Sequence, residues 1–428
     1  MLMLQTSTQE VLMKREVELR ASLSDLRGLN FQLNIARGLP SPEQLDLANS
    51  LLTLPGVNQY QNTNGVDCRN YGAIDGLLEM KKLFAGILDC SAENIIVGNN
   101  SSLSMMHDAL MRAYVWGASE NELAWREQGT IRFLCPSPGY DRHFSISELF
   151  GFEMLPVEMT DAGPNMDQVE ALALDPSVKG IWCVPRYSNP TGVTYSKSTV
   201  NRLAKMEAAP DFRVLWDNAY AEHHLVDQPA PLANILDACA LNDHPDRVLM
   251  FASTSKISFG GSGIAAMGAS ANNISEAIKK IRIRTIGSDK LNQLRHIHFF
   301  RNLESLRSHM KAHAKILKPK FDLVDEILHR ELGGKQIARW SKPDGGYFVN
   351  LDVPDGCARK TISLATESGV VLTPAGSSFP NGFDPNDRNI RIAPTFPQLS
   401  QIKEAIEIIV ICVELVAIQQ QLKKLQQS

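Results

Sequence analysis

The sequence predicts an α/β protein with a large, mostly parallel sheet covered by helices, followed by a smaller α+β domain. Short apolar runs recur at 95–97, 131–134, 152–157, 181–184, 214–216 and 248–252, and helix-length segments separate several of them. Runs that are apolar on both faces and alternate with helices indicate buried parallel strands. Most of the polar and glycine-rich signatures fall just after such a run. In open α/β sheets ligands bind at the carboxyl ends of the strands, so those signatures mark the expected site.

Each element follows from its local pattern. Residues 1 to about 30 read as a helix of mixed charge, and 31–40 break it with Gly38 and Pro40. Leu77, Met80, Lys81 and Phe84 then fall at helical spacing. The run 95–97 ends in Gly98-Asn99-Asn100-Ser101-Ser102, after which Leu103, Met106, Leu110 and Ala113 mark one helical face. After about residue 300 a long charged helical region, 301–335, leads to extended segments at 345–351, 369–372 and 389–393. A terminal helix follows, and its glutamines at 419–421 and 426–427 read as a frayed polar end. The expected division is an N-terminal segment, 1–60, that joins the small domain, a large domain at 61–305, and a small domain at 306–428.

Composition narrows the function. The 43 basic and 47 acidic residues leave a net charge of −4 with no basic run, which argues against nucleic acid as a partner. Seven cysteines (68, 90, 135, 183, 239, 357 and 412) are scattered, odd in number and never CxxC, so they read as reduced thiols in an intracellular protein, neither a metal site nor a disulfide framework. Glu10, Glu16 and Glu18 interrupt the N-terminal leucines, which a signal peptide does not tolerate. The longest apolar run, 408–413, stops at Glu414, far short of the roughly 20 residues of a membrane helix. A cytoplasmic protein is expected.

Lys256 is the residue around which the chemistry gathers. It lies in Ser253-Thr254-Ser255-Lys256, after the run 248–252 and before Gly260-Gly261-Ser262-Gly263. Lysine is seldom buried without a partner, and a buried amine with a lowered pKa suits Schiff-base chemistry. Asp217 closes the run 213–217, where an acid calls for a cation or a ligand; an N-cap or a structural ion pair is the plainer alternative. Tyr220 follows it, either facing the same ligand or packed in the core. Asn189, in Tyr187-Ser-Asn-Pro-Thr-Gly192, is either an amide donor to a ligand oxygen or part of a simple turn. Ser101 and Ser102 open a helix and form either an anion site or an ordinary cap. Ser253 and Ser255 can add hydroxyls to the same anion.

Three further patterns carry less. Residues 261–266 fit a loose G-x-G-x-x-A, but 264–267 reads as a strand, and a dinucleotide fingerprint needs a helix there. Gly333-Gly334-Lys335 lacks the upstream glycine and the following hydroxyl of a P-loop. His223-His224 has no matching ligand spacing and reads as a surface or rim feature.

Taken together, an anion-binding turn followed by Asn189, Asp217, Tyr220 and Lys256 in that order resembles the fold-type I pyridoxal phosphate enzymes, specifically the class I aminotransferases. The resemblance spans roughly residues 30 to 415 and includes Pro343–Phe348, Pro374-Ala375-Gly376 with Phe379, and Asn389-Ile390-Arg391. It implies that Lys256 forms a Schiff base with pyridoxal 5'-phosphate and then moves the substrate Cα proton. It further implies that Asp217 pairs with the pyridine nitrogen, that Asn189 bonds the phenolate oxygen, that Tyr220 faces the same cofactor, and that Tyr140 of Pro136–Tyr140 stacks on the ring. Arg391 would grip the substrate α-carboxylate, with Gly38 and Asn189 on the substrate side. Tyr71 would be lent to the phosphate by the neighbouring subunit of a homodimer. One departure stands out: the phosphate-binding arginine expected shortly beyond the lysine is replaced by glycines at 260–263. The load then falls on Ser101, Ser102, Ser253 and Tyr71, or on Lys290 or Arg295.

The wording of 37–45, 68–72 and 139–143 resembles the subgroup Ic bacterial aspartate aminotransferases, which implies L-aspartate and 2-oxoglutarate as substrates. The distal carboxylate needs a second cation. Arg142 is the candidate, with Lys290 of the partner subunit as runner-up and a structural ion pair as the plainer role for Arg142. An aminotransferase for aromatic or 2-aminoadipate-type amino acids would use the same core residues. A decarboxylase is disfavoured because Arg391 would hold the α-carboxylate in the ring plane. A non-catalytic ligand-binding relative is disfavoured by the intact Lys256, and the about 30 residues before the Gly38 loop leave no room for an appended DNA-binding domain.

Overall fold

The structure, a computed structural model, describes residues 7–98, 100–120 and 122–427; Asn99 of the expected anion-binding turn lies outside them. In chain order the strands are β1 (Leu33–Asn34), β2 (Ile95–Gly98), β3 (Arg132–Ser137), β4 (Glu153–Thr160), β5 (Gly163–Pro164), β6 (Val178–Cys183) and β7 (Arg213–Asp217). They continue with β8 (Val248–Ser253), β9 (Ala265–Ala269), β10 (Arg339–Trp340), β11 (Val349–Asp352), β12 (Val370–Val371) and β13 (Asn389–Ile392). Eight of them form one sheet in the order β2-β9-β8-β7-β6-β3-β4-β5.

From β8 to β4 the neighbours run parallel, while β9 lies antiparallel between β2 and β8. The expected α/β layout is therefore present, with strand ends shifted by a few residues. Both sheet faces are covered. Val214 and Trp216 of β7 enter one apolar cluster, and Leu215 enters the cluster on the other side. This two-sided burial is the reason these strands read as continuous apolar runs.

A separate core gathers the chain ends. Leu12, Leu19 and Leu23 of the helix Gln9–Arg27 pack with Leu33, with the strands β11 and β13, and with the terminal helix Leu399–Gln427. β1 pairs parallel with β12, in the register Leu33 to Val370. The helix Leu303–Leu332 joins the two cores: Leu306 and Met310 belong to the sheet side, while Leu317, Phe321, Val324 and Leu328 belong to the other. With the buried His313 between Met310 and Leu317, these positions recur every three or four residues, so one helical face is buried along the whole length.

The apolar run 408–413 lies in the terminal helix, where Ile408, Ile409, Cys412 and Val413 are buried. Glu414, which ends the run, is buried too, and it is held by Arg15 at 3.0 Å and Lys335 at 2.9 Å. A buried carboxylate needs such partners. Among the described residues no helix is long and apolar enough to cross a membrane.

Candidate active site

Strand register brings the chemistry together. Asp217 pairs with Phe251 across the parallel β7–β8 ladder, so the carboxyl ends of both strands open on one side of the sheet. Lys256 follows in the turn beyond β8. The antiparallel return through β9 sets Ser253 opposite Ala265. Gly263 is thereby pressed against Ser255, and a Cβ there would lie 2.9 Å from the Ser255 backbone. This contact accounts for glycine at 263, whereas a Cβ at Gly261 would meet nothing within 4 Å.

A cavity of about 490 Å³ opens there, lined by Lys256, Asp217, Tyr220, Asn189, Arg142 and Arg391. Ser101, Ser102, Tyr140, Ser255 and Gly38 line it as well. A larger cavity of about 880 Å³, between residues 221–235 and the long helix, does not reach Lys256. Chemistry, not volume, selects the smaller one.

Lys256 is half-buried, and its Nζ lies 5.1 Å from the centre of the Tyr220 ring. Burial lowers its pKa below the usual lysine value, against the opposing pull of Asp217. A lowered pKa makes the neutral, nucleophilic amine accessible. Asp217 is 3% exposed and does not cap a helix. Its Oδ2 meets His143 Nε2 at 3.0 Å, whereas its Oδ1 is buried with no partner among the described residues. The His143 ring stacks on Trp182 at 4.3 Å, and Trp182 Nε1 donates to Ser147 Oγ at 2.9 Å, one turn along the helix from His143. Tyr140 meets the His143 ring edge to face at 5.0 Å. Burial, then Asp217, raises the Tyr140 phenol pKa, and burial likewise raises that of Tyr220.

On the opposite wall Arg391 comes from β13, which pairs with β11 in the smaller core. Its Nη1 donates to Asp141 Oδ1 at 3.2 Å and Asn189 Oδ1 at 3.4 Å, and its Nη2 donates to Thr373 Oγ1 at 3.0 Å. Nε is buried without a partner among the described residues. The guanidinium lies 5.0 Å from the centre of the Phe348 ring. Gly38 meets that same ring, and a Cβ there would approach it to 2.7 Å, so a side chain cannot be accommodated. Arg142 is exposed at the cavity and makes no hydrogen bond or ion pair among the described residues.

Not every expected residue lines the cavity. Ser253 stands behind it, its hydroxyl 2.8 Å from that of Ser255. Tyr71 is 78% exposed and outside the cavity of its own chain. Lys290 donates to the Gly72 carbonyl at 3.0 Å, and Arg295 to the Leu54 carbonyl at 2.8 Å. Within one chain, neither cation lines the Lys256 cavity.

The reading of His223-His224 as a rim feature is corrected. His223 is 3% exposed, wedged edge-on against Tyr220 and Tyr347, and burial drives its pKa well down. His224 is half-buried, with Nδ1 2.8 Å from the Tyr187 hydroxyl. The loop after β7 turns the His223 ring inward near Lys256, while His224 lines the larger cavity, which ligand spacing could not reveal.

His143, Asp141, Thr373 and Arg37 were not foreseen. His143 stands three residues after Tyr140, on the same side of a helix start, and that spacing was the available signal. Arg37 lines the cavity beside Gly38 and is exposed.

With this geometry described, comparison with known proteins places the chain. The family model for aspartate amino-transferases matches residues 7–427. This chain belongs to the aspartate aminotransferase family. An aspartate aminotransferase of Corynebacterium glutamicum is 42% identical over 401 residues, covering 94% of this chain and 93% of the relative. The crystal structure of an aspartate transaminase from Corynebacterium glutamicum superposes with a TM-score of 0.95 at 41% identity, covering 98% of this chain and 99% of the other. An α-aminoadipate aminotransferase of Thermus thermophilus, solved with N-(5'-phosphopyridoxyl)-L-leucine, shares the fold at a TM-score of 0.71 and 20% identity over 92% of this chain and 93% of the other. The chain is an aminotransferase, with the architecture expected of fold-type I.

Proposed function

We propose that this aminotransferase uses pyridoxal 5'-phosphate to move the amino group of L-aspartate to 2-oxoglutarate, releasing oxaloacetate and L-glutamate. The observation that carries this reading is the buried Asp217 Oδ1, left unpaired beside Lys256 while its other oxygen is held by His143. A protonated pyridine nitrogen is the donor that completes such a carboxylate, so the residues fit the cofactor. When bound, pyridoxal phosphate supplies an aldehyde carbon and an electron sink for the amino acid Cα.

The chain's own groups then divide the work. Lys256 Nζ would hold the cofactor covalently and would serve as the base that moves the proton from the substrate Cα to the cofactor. Asp217 keeps the pyridine nitrogen protonated, and Asn189 and Tyr220 orient the phenolate side. Tyr140 covers a ring face. Ser101, Ser102 and Ser255 hold the phosphate at the start of the helix Ser102–Trp116, where free N–H groups and the helix dipole favour an anion. Arg391 takes the α-carboxylate, with its unpaired Nε as the available donor. Arg142, without a side-chain partner among the described residues, takes the distal carboxylate.

The same reading takes the functional unit to be a cytoplasmic homodimer, with the exposed Tyr71 contributing to the phosphate of a second subunit. It also takes residues 1–60 to belong with a small domain at 306–428, against a large domain at 61–305. Substrate choice is tested by Arg142→Ala, with Arg37→Ala as comparison. Arg142→Ala lowers kcat/KM for L-aspartate by at least about tenfold, the scale of one charge-assisted hydrogen bond, and leaves an uncharged donor nearly unaffected. An equal loss for both donors rejects Arg142 as the distal cation, and the same selective loss in Arg37→Ala alone transfers the role.

A further inference from the structure

Arg391 is already engaged by a carboxylate of its own chain. We propose that Asp141 is a built-in competitor for the substrate α-carboxylate, exchanging with it on the Arg391 guanidinium and thereby setting how tightly carboxylate ligands are held. The proposal rests on the assignment of Arg391 to the α-carboxylate.

Three observations give the exchange its direction. Asp141 Oδ1 lies 3.2 Å from Arg391 Nη1, and both residues line the Lys256 cavity, so the acid stands inside the substrate's space. The two partners differ in burial: the Arg391 side chain is 6% exposed and the Asp141 side chain 34%. A buried guanidinium cannot give up an anion without replacement, whereas a carboxylate at the solvent edge is readily rehydrated. Asp141 is therefore the movable member. It also occupies the first turn of the helix Asp141–Leu149, where the helix dipole favours a negative charge whether or not the arginine is engaged. Arg391 itself stays fixed by Thr373, Asn189 and the Phe348 ring during the exchange.

An incoming carboxylate gains its own pair with Arg391 only by giving back the pair with Asp141. Net affinity is the difference between the two, which favours release and turnover over tight binding. Asp141 is thus a positioning and affinity-setting residue that need not touch the reacting atoms.

The test uses succinate, a dicarboxylate with no amino group, titrated calorimetrically into the cofactor-loaded protein. Asp141→Asn keeps the shape and removes the charge, and Asp141→Ala removes the contact as well. Tighter succinate binding by about tenfold in either variant, equivalent to about 1.4 kcal/mol of competing interaction, is the expected result. KM for the amino donor falls in parallel while kcat changes less. A merely structural role for Asp141 weakens binding in both variants, and weaker or unchanged binding in both overturns the proposal. Arg391→Ala separates the underlying assignment: it loses succinate affinity if the carboxylate sits on Arg391. Wild-type affinity in that variant overturns the assignment of Arg391 itself, and the exchange with it.

Discussion

The two ends of the Lys256 cavity are built on different principles. At one end Asp217 is fixed by a chain of buried partners, His143 on Oδ2, Trp182 stacked on His143, and Ser147 on the indole. At the other end stand Ser101, whose side chain makes no capping bond, Ser102, and Ser255 backed by Ser253. The segment 253–263 contains no cation besides Lys256, and residues 100–102 contain none. A preorganised charge in a dry setting acts at full strength and needs no reorganisation. Hydroxyls and N–H groups share an anion's charge among many modest contacts. The first end is thus sensitive to single changes and the second tolerant of them.

That contrast can be broken or sharpened by mutation, in order of expected effect. Lys256→Ala, which removes the amine both ends serve, lowers turnover by about 10³-fold or more, the scale of a lost general base compounded by the lost covalent attachment. Steady-state transamination measures it, and residual activity near wild type contradicts the role. Asp217→Asn keeps the shape and removes the charge, and kcat falls by about 10²-fold. His143→Leu leaves Asp217 in place but strips Oδ2 of its partner, and turnover falls by about tenfold, the cost of one hydrogen bond to a charged group. Ser101→Ala or Ser255→Ala weakens cofactor affinity by about tenfold or less at equilibrium dialysis, with kcat at saturating cofactor little changed. If the serine variants lose more than Asp217→Asn, the two ends have been ranked the wrong way round.

The smallest effect concerns the turn that carries Lys256. His296 bonds Ser258 Oγ at 2.9 Å and Thr254 Oγ1 at 3.2 Å through Nε2, and its Nδ1 meets the Asn292 carbonyl at 2.8 Å. Burial lowers its pKa to about 4 from the ordinary 6.5. Between these values the unfolded chain binds a proton that the native protein refuses, so stability falls as pH drops from 6.5 towards 4. The slope from this one group is about 1.4 kcal/mol per pH unit. His296→Gln flattens the pH dependence of denaturant unfolding by that amount in this window, and an unchanged slope removes His296 from the account.

Much of this was legible in the sequence because burial on both faces leaves a continuous apolar signature. The strands β2, β3, β6, β7 and β8 all announced themselves that way, and Lys256 and Asp217 stood out as charged residues at the ends of such runs. Sequence order alone could not tell which neighbours turn inward. His143, three residues along a helix from Tyr140, and His223, folded near the lysine by the loop after β7, depend on backbone direction at a strand end. The pair between Asp141 and Arg391 joins residues far apart in the chain, across the boundary between the two cores, and no local pattern encodes it. The missing arginine after Lys256 was legible as a gap.

The account turns on whether Lys256 and Asp217 together form a pyridoxal phosphate site that aspartate can use. The most direct measurement is the visible absorption of the protein on addition of pyridoxal phosphate, followed by L-aspartate in the absence of any acceptor. The account predicts a band that requires Lys256, bleaches with aspartate, and releases oxaloacetate in proportion to the sites present. No band, or a band of the same shape in Lys256→Ala that aspartate leaves untouched, would contradict it.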